Sequence, residues 1–176
     1  MIINKFNYGR VNSTNDLAIR LIKTTKYKSG FITANSQVKG RGRHGNTWIS
    51  KKGNLFVSIF FAFKSIDLNI KKLSTINLHI IKKLLSMYTK EKIYIKKPND
   101  IMINKKKICG ILQEVISKKG KDYFIIGIGL NVNNKPRIKR YPTICLKEII
   151  NKKVDIKVIT NDLFKLYNIS FIRGDI

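Results

Sequence analysis

Residues 92–133 read Lys92-Ile-Tyr-Ile-Lys-Lys-Pro-Asn-Asp-Ile-Met-Ile-Asn-Lys-Lys-Lys-Ile-Cys-Gly-Ile-Leu-Gln-Glu-Val-Ile-Ser-Lys-Lys-Gly-Lys-Asp-Tyr-Phe-Ile-Ile-Gly-Ile-Gly-Leu-Asn-Val-Asn133. Short apolar runs alternate here with turn residues, which is strand punctuation. Lys92–Lys96 predicts a strand that Pro98-Asn99-Asp100 stops. Ile101–Ile103 and Lys107–Ser117 flank Asn104-Lys105-Lys106 and predict a hairpin, and Asp122–Val132 predicts the next strand after a Lys-Lys-Gly-Lys turn.

Outward from this block, Leu55–Phe63 is apolar and aromatic at every position but Ser58 and suits a buried strand. Phe31–Ala34 predicts a short one. Residues 14–23 predict a helix capped by Ser13 or Thr14, with Leu17, Leu21 and Ile22 at helical spacing. Residues 69–88 predict the longest helix, through Ile70, Leu73, Ile76, Ile80, Leu84 and Tyr88. Leu146–Ile150 and Ile156–Ile169 predict two more. The class is α+β, with a mixed or mostly antiparallel sheet backed by helices. The 176 residues carry no repeat and no Gly/Ser/Pro linker, which predicts one domain over 1–176.

Charge is the bulk anomaly. Lys+Arg is 36 and Asp+Glu is 10, a formal net charge of +26. That balance fits a nucleic-acid partner. It fits equally a drift toward Lys, Ile and Asn, since the chain also holds 31 Ile and 17 Asn and spreads its lysines along its whole length. Abundant apolar residues exclude disorder. Cys109 and Cys145 form no CxxC, so neither a disulfide framework nor a zinc site is expected. No apolar run reaches the length of a membrane span, and a reducing cytoplasm is the default compartment.

Four segments carry chemistry. Gly40-Arg41-Gly42-Arg43-His44-Gly45 alternates glycines with cations inside a long loop over 37–54, and such backbone binds anions. It lacks the GK[ST] ending of a Walker loop. Lys96-Lys97-Pro98-Asn99-Asp100 offers a carboxylate and an amide on a turn, able to hold Mg²⁺ or to satisfy their own backbone. Lys107 enters a strand whose interior glycine, Gly110, leaves room for a ligand near the backbone. Gly127 and Gly129 share one sheet face and leave it open.

Together these segments, with Ser13-Thr14-Asn15, resemble the biotin protein ligase family. The family reads, in order, Ser-Thr-Asn, GRGRxGRxW, KWPND, KxxGILxE and GIGxNVN. Here the blocks are Ser13–Asn15, Gly40–Trp48, Lys96–Asp100, Lys107–Glu114 and Gly127–Asn133. The resemblance implies a core related to class II aminoacyl-tRNA synthetases. It implies a reaction in which biotin and MgATP give biotinyl-5′-AMP and pyrophosphate, after which a lysine of a biotin carboxyl carrier protein takes the biotin.

The resemblance also implies roles. Lys107 and Arg43 would be the catalytic cations. Ser13, Thr14, Asn15, Gln37, Gly40, Arg41, Arg43, Lys107, Gly110 and Gly127 would meet biotin. Arg41, Arg43, Trp48, Asn99, Lys107 and Asn131 would meet the adenylate, and Asp100 would hold Mg²⁺. Trp48 would pack near adenine, or merely anchor the loop, and Glu114 would orient its neighbours. Two positions depart from the pattern: Lys97 stands for its Trp and Asn46 for its Arg.

About a dozen residues precede Ser13, so no helix-turn-helix operator-binding domain is expected, and about 40 follow Asn133, so the small C-terminal barrel of many relatives is not expected either. Pairing of two copies is implied for some members. A lipoate or octanoate transferase of the same fold, and a small basic nucleic-acid-binding protein, are the alternatives.

Overall fold

The computed structural model describes residues 3–63, 70–174 and 176. Asn69, the first residue of the expected long helix, lies outside the described residues. The order is β1 (Asn4–Val11), α1 (Thr14–Thr24), β2 (Ser29–Gln37), β3 (Leu55–Phe63), α2 (Ile70–Ser86), β4 (Ile93–Lys96), β5 (Asp100–Ile103), β6 (Lys106–Lys118), β7 (Lys121–Leu130), α3 (Leu146–Ile150) and α4 (Ile156–Ile172). Seven strands form one sheet in the order β1-β2-β3-β7-β6-β5-β4. Among the strand pairs of the described residues, only β1 and β2 run parallel; the others are antiparallel. The expected mixed sheet backed by helices is what forms.

Sequence patterning missed β1, whose Phe6 and Tyr8 alternate with Asn, Lys, Gly and Arg in a half-covered edge. Each of two tight hairpins places two consecutive residues at positive φ. Asn104 (φ 50°) and Lys105 (φ 59°) join β5 to β6, and Lys119 (φ 49°) and Gly120 (φ 71°) join β6 to β7.

The two sheet faces have different coverings. α2 and α4 cover Phe31, Ile59, Phe61, Phe124 and Ile126 in the larger core. α1 covers Ile32, Phe60, Tyr123 and Ile125 on the opposite face through Leu17, Ala18 and Ile22. Tyr167 of α4 donates its hydroxyl to Asn77 Oδ1 of α2 at 2.9 Å, both side chains fully buried. Tyr167→Phe is expected to lower unfolding free energy by about 1 kcal/mol, because Asn77 loses a buried donor. An unchanged urea midpoint would contradict this.

The α1 face of β7 changes character along its length. Alternation puts Tyr123, Ile125, Gly127 and Gly129 on that face. The first two are covered by α1; the glycines continue past its N-terminus. Across the ladders Gly110 faces Gly129, Leu112 faces Gly127 and Ser58 faces Gly127. The result is a depression in an otherwise bulky sheet face.

Candidate active site

That depression is the floor of a cavity of about 630 Å³. Four walls rise around it, three of them expected from the sequence. The start of α1 supplies Ser13, Thr14 and Asn15; the glycine-arginine loop supplies Arg41 to Trp48; Asn99, Asp100 and Lys107 supply the third. Most of the residues picked from sequence thus converge here from separate elements, Gly40 and Asn131 excepted.

The glycines are explained by what lies on them. A Cβ on Gly127 would fall 2.3 Å from Asn15 Oδ1, and one on Gly129 2.3 Å from the Trp48 indole. A Cβ on Gly110 would stand 2.8 Å from the same indole and 3.4 Å from Lys107 Nζ. Three side chains named from the motifs therefore occupy space that any larger residue would take. The indole N–H of Trp48 is buried and has no hydrogen-bond partner among the described residues. A buried donor of this kind is satisfied when a ligand brings an acceptor.

The loop is a small closed hairpin. Trp48 N–H donates to Gly40 O at 2.9 Å, and Gly42 N–H to Asn46 O at 2.7 Å. Arg43, His44 and Gly45 make the turn, with His44 at φ 53° and Gly45 at φ 74°. Asn46, where the family pattern has Arg, donates its side-chain amide to Arg43 O at 2.8 Å. It braces the turn and contributes no charge. Gly40 is buried beside the cavity, where a Cβ would strike Trp48 O at 2.5 Å.

Three ion pairs organise the charges. Lys107 Nζ is 2.8 Å from Asp100 Oδ1, both mostly buried. It also lies 5.4 Å from the Trp48 ring centre and 5.1 Å from that of Tyr141. Arg41 grips Glu114 with both arms, at 2.9 and 2.8 Å, and reaches Asp16 at 2.9 Å. Burial opposes its charge, but the hydrogen bond and charge of Glu114, aided by Asp16, raise the guanidinium above its ordinary pKa. Arg43 is the freer arginine: its nearest polar partner is Asn99 Oδ1, at 3.4 Å.

Glu114 does more than was expected of it. It accepts from Asn15 Nδ2 at 2.7 Å, while Asn15 Oδ1 accepts from Ser58 at 2.5 Å. Its carboxylate thus fixes which way the Asn15 amide points and holds the loop through Arg41. Gln37 makes a similar tie. Its Oε1 accepts from Thr14 N–H at 2.8 Å and its Nε2 donates to Ser50 at 2.9 Å. Glu114→Ala is expected to release the loop, so that trypsin cuts after Arg41 several-fold faster than in the unaltered chain. Equal cleavage rates would show that the ion pair does not hold it.

Asn131 does not line this cavity but lines a small adjoining one, with Trp48, Lys107 and Tyr141. It is buried and donates its side-chain amide to Ile144 O at 3.1 Å, fixing the segment before α3. Lys97, which replaces the pattern's Trp, lies on the rim of a second cavity of about 580 Å³. Cys109 is fully buried, and that burial pushes its thiol well up despite Lys107 nearby, so it is no nucleophile. One wall was not foreseen at all: Arg137, Ile138, Lys139, Arg140 and Tyr141 also line the cavity.

The model of the biotin/lipoate A/B protein ligase family matches residues 8–131. The chain belongs to the biotin/lipoate A/B protein ligase family. Among curated relatives, the bifunctional ligase/repressor BirA of Escherichia coli K12 is 32% identical over 124 residues, which are 69% of this chain and 38% of BirA. The chain thus spans under two-fifths of that relative. The structure of biotin protein ligase from Aquifex aeolicus in complex with biotin and ATP superposes with a TM-score of 0.77 and 29% identity, covering 94% of this chain and 68% of that one. Biotin protein ligase from Leishmania major in complex with biotinyl-5-AMP gives 0.78 and 26%, covering 94% and 74%. Family membership accounts for the order of the five motifs along the chain.

Proposed function

We propose that the chain is a biotin protein ligase: it makes biotinyl-5′-AMP from biotin and ATP and passes biotin to a lysine of a carrier protein. The observation that carries this reading is the glycine floor. Gly127 seats Asn15, and Gly110 and Gly129 seat the indole of Trp48, so that the cavity opens over and between these side chains, with Lys107 on its wall. A fused, largely apolar bicycle with one polar urea edge and one carboxylate suits such a cavity. Ser13, Thr14, Asn15 and Gln37 offer the few placed polar groups at one end. Lys107 and Arg43 offer positive charge at the other.

The chemistry follows from charge. A biotin carboxylate oxygen attacks the α-phosphorus of ATP, and the bond from that phosphorus to the bridging oxygen breaks, releasing pyrophosphate. Both reactants are anions, so the barrier falls when cations hold them in line. Lys107 is placed for this, with its stem packed against Trp48 and Gly110. In the second step the carrier amine attacks the acyl carbon, the bond to AMP breaks, and the amine proton goes to solvent. The loop over the cavity keeps water from the acyl phosphate until then. Trp48 covers the floor, and Asn99, Arg41 and Asn131 serve the adenylate directly or through the loop and the floor they brace.

Among the described residues, Asp100 is the only carboxylate lining the cavity. Among the described residues no cluster of three metal-ligating side chains exists. This donor set suits magnesium that arrives on the nucleotide, where phosphate oxygens supply most ligands, with Asp100 as one protein ligand. The ion would screen the phosphates.

The partner in this reading is a carrier domain of acidic surface, drawn by the +26 charge, and the two free buried cysteines suit a reducing cytoplasm. Incubation with biotin, MgATP and a biotin carrier domain is the test. Biotin on the carrier lysine supports the reading. Lipoate transfer in preference to biotin would assign the chain to the other branch of its family. Failure with both, together with salt-resistant nucleic-acid binding, would revive the nucleic-acid alternative.

A further inference from the structure

The segment from Pro136 to Thr143 straps across one side of the cavity. Its backbone is clamped to β6: Lys107 N–H donates to Pro142 O at 2.9 Å, and Ile144 N–H donates to Lys107 O at 3.0 Å. Arg137, Lys139 and Arg140 are exposed along it and line the cavity. Any position on so basic a chain could be basic by drift, so residue type decides whether these cations matter.

The chain has 29 lysines but only 7 arginines. Drift has been toward lysine. Yet among the described residues 4 of the 7 arginines, Arg41, Arg43, Arg137 and Arg140, line this one cavity, against only Lys107 and Lys139 of the lysines. At the lysines' frequency fewer than one arginine would be there. Arginine in place of the prevailing lysine is what bidentate recognition of phosphate requires.

Pairing then separates the four. Arg41 is held by Glu114 and Asp16. Lys107 is held by Asp100. Among the described residues no carboxylate lies within ion-pair distance of Arg137, Lys139 or Arg140. They put three cations without a carboxylate partner on the wall of the cavity that the loop also lines, where Asn46 contributes no charge.

We propose that Arg137 and Arg140, with Lys139 between them, form the polyphosphate site: they hold the β- and γ-phosphates of the nucleotide and then the pyrophosphate product. This rests on the reading of the cavity as an ATP-using site. The strap's attachment to the Lys107 backbone sets this grip in register with the cation at the reacting end.

Calorimetric titration with inorganic pyrophosphate tests the site directly. Arg137→Gln/Arg140→Gln is expected to weaken binding at least tenfold. Lys152→Gln/Lys153→Gln, which removes the same charge away from this cavity, is expected to change it less than twofold. In the adenylation assay the strap variant is expected to raise KM for ATP at least tenfold and KM for biotin less than twofold. Arg137→Lys/Arg140→Lys keeps the charge and loses the forks, and is expected to bind pyrophosphate at least threefold more weakly; it decides the matter if the glutamine variant fails to fold. Wild-type pyrophosphate affinity in the strap variants, equal weakening in both glutamine pairs, or no binding by the unaltered chain would overturn the proposal. If the unaltered chain makes no biotinyl-AMP but pyrophosphate binding falls as expected, the ligase reading fails and the strap site stands.

Discussion

Replacing Lys107 with alanine is expected to slow formation of biotinyl-AMP by about 10²–10³-fold, the usual cost of removing one preorganised charge or donor from a reacting centre. Two effects act together. The attacking carboxylate and the α-phosphate lose the ammonium that offsets their repulsion. Asp100, whose Oδ1 is buried 2.8 Å from that ammonium, becomes an unpaired negative charge beside two anions. Lys107→Arg should recover little of the rate. A Cβ on Gly110 would already stand 3.3 Å from the Lys107 stem, so the bulkier guanidinium has little space between Trp48 and the floor. Single-turnover adenylation measures this. A Lys107→Ala rate within threefold of the unaltered chain would remove Lys107 from the catalytic role.

Gly127→Ala is expected to raise KM for biotin by at least tenfold and to cost about 1–3 kcal/mol of stability, the range for breaking a buried polar network. The new methyl would lie 2.3 Å from Asn15 Oδ1. Asn15 is almost fully buried and held by Ser58 and Glu114, so it cannot swing aside without breaking both contacts. The helix start that carries Thr14 would move with it. Gly9→Ala is the control, because nothing stands within 4 Å of the added atom, and it should shift stability by less than about 0.5 kcal/mol. Biotin titration and urea unfolding of the two variants separate a specific pocket from general intolerance. Equal behaviour of the two would contradict the glycine-floor account.

The parts legible in sequence were those encoded locally. Leu55–Phe63 is apolar at every position but Ser58, and it forms β3 over the same residues. α2 follows its helical spacing from Ile70. The Lys107–Glu114 and Gly127–Gly129 segments declared their glycines, and the structure shows why: Trp48 and Asn15 rest there. What stayed hidden depends on distant partners. β1 is a strand because β2 pairs with it, and its own residues alternate too weakly to say so. Arg41 reads as a ligand cation until Asp16 and Glu114, far away in sequence, come to meet it. The strap has no periodicity; Pro142 and Ile144 reach the Lys107 backbone only in the fold. The rarity of arginine was visible in the sequence, but its meaning needed the cavity.

Charge is reapportioned by this picture. Most of the lysines lie on exposed positions away from the cavity, consistent with drift. The arginines are concentrated where an anionic substrate would be held.

The central claim is that the cavity joins biotin to AMP. Mass spectrometry of the purified chain after incubation with biotin, ATP and Mg²⁺ tests it most directly. The account predicts biotinyl-5′-AMP and an equal amount of pyrophosphate, both dependent on biotin. Absence of the adenylate, under conditions where another biotin protein ligase forms it, would contradict the account.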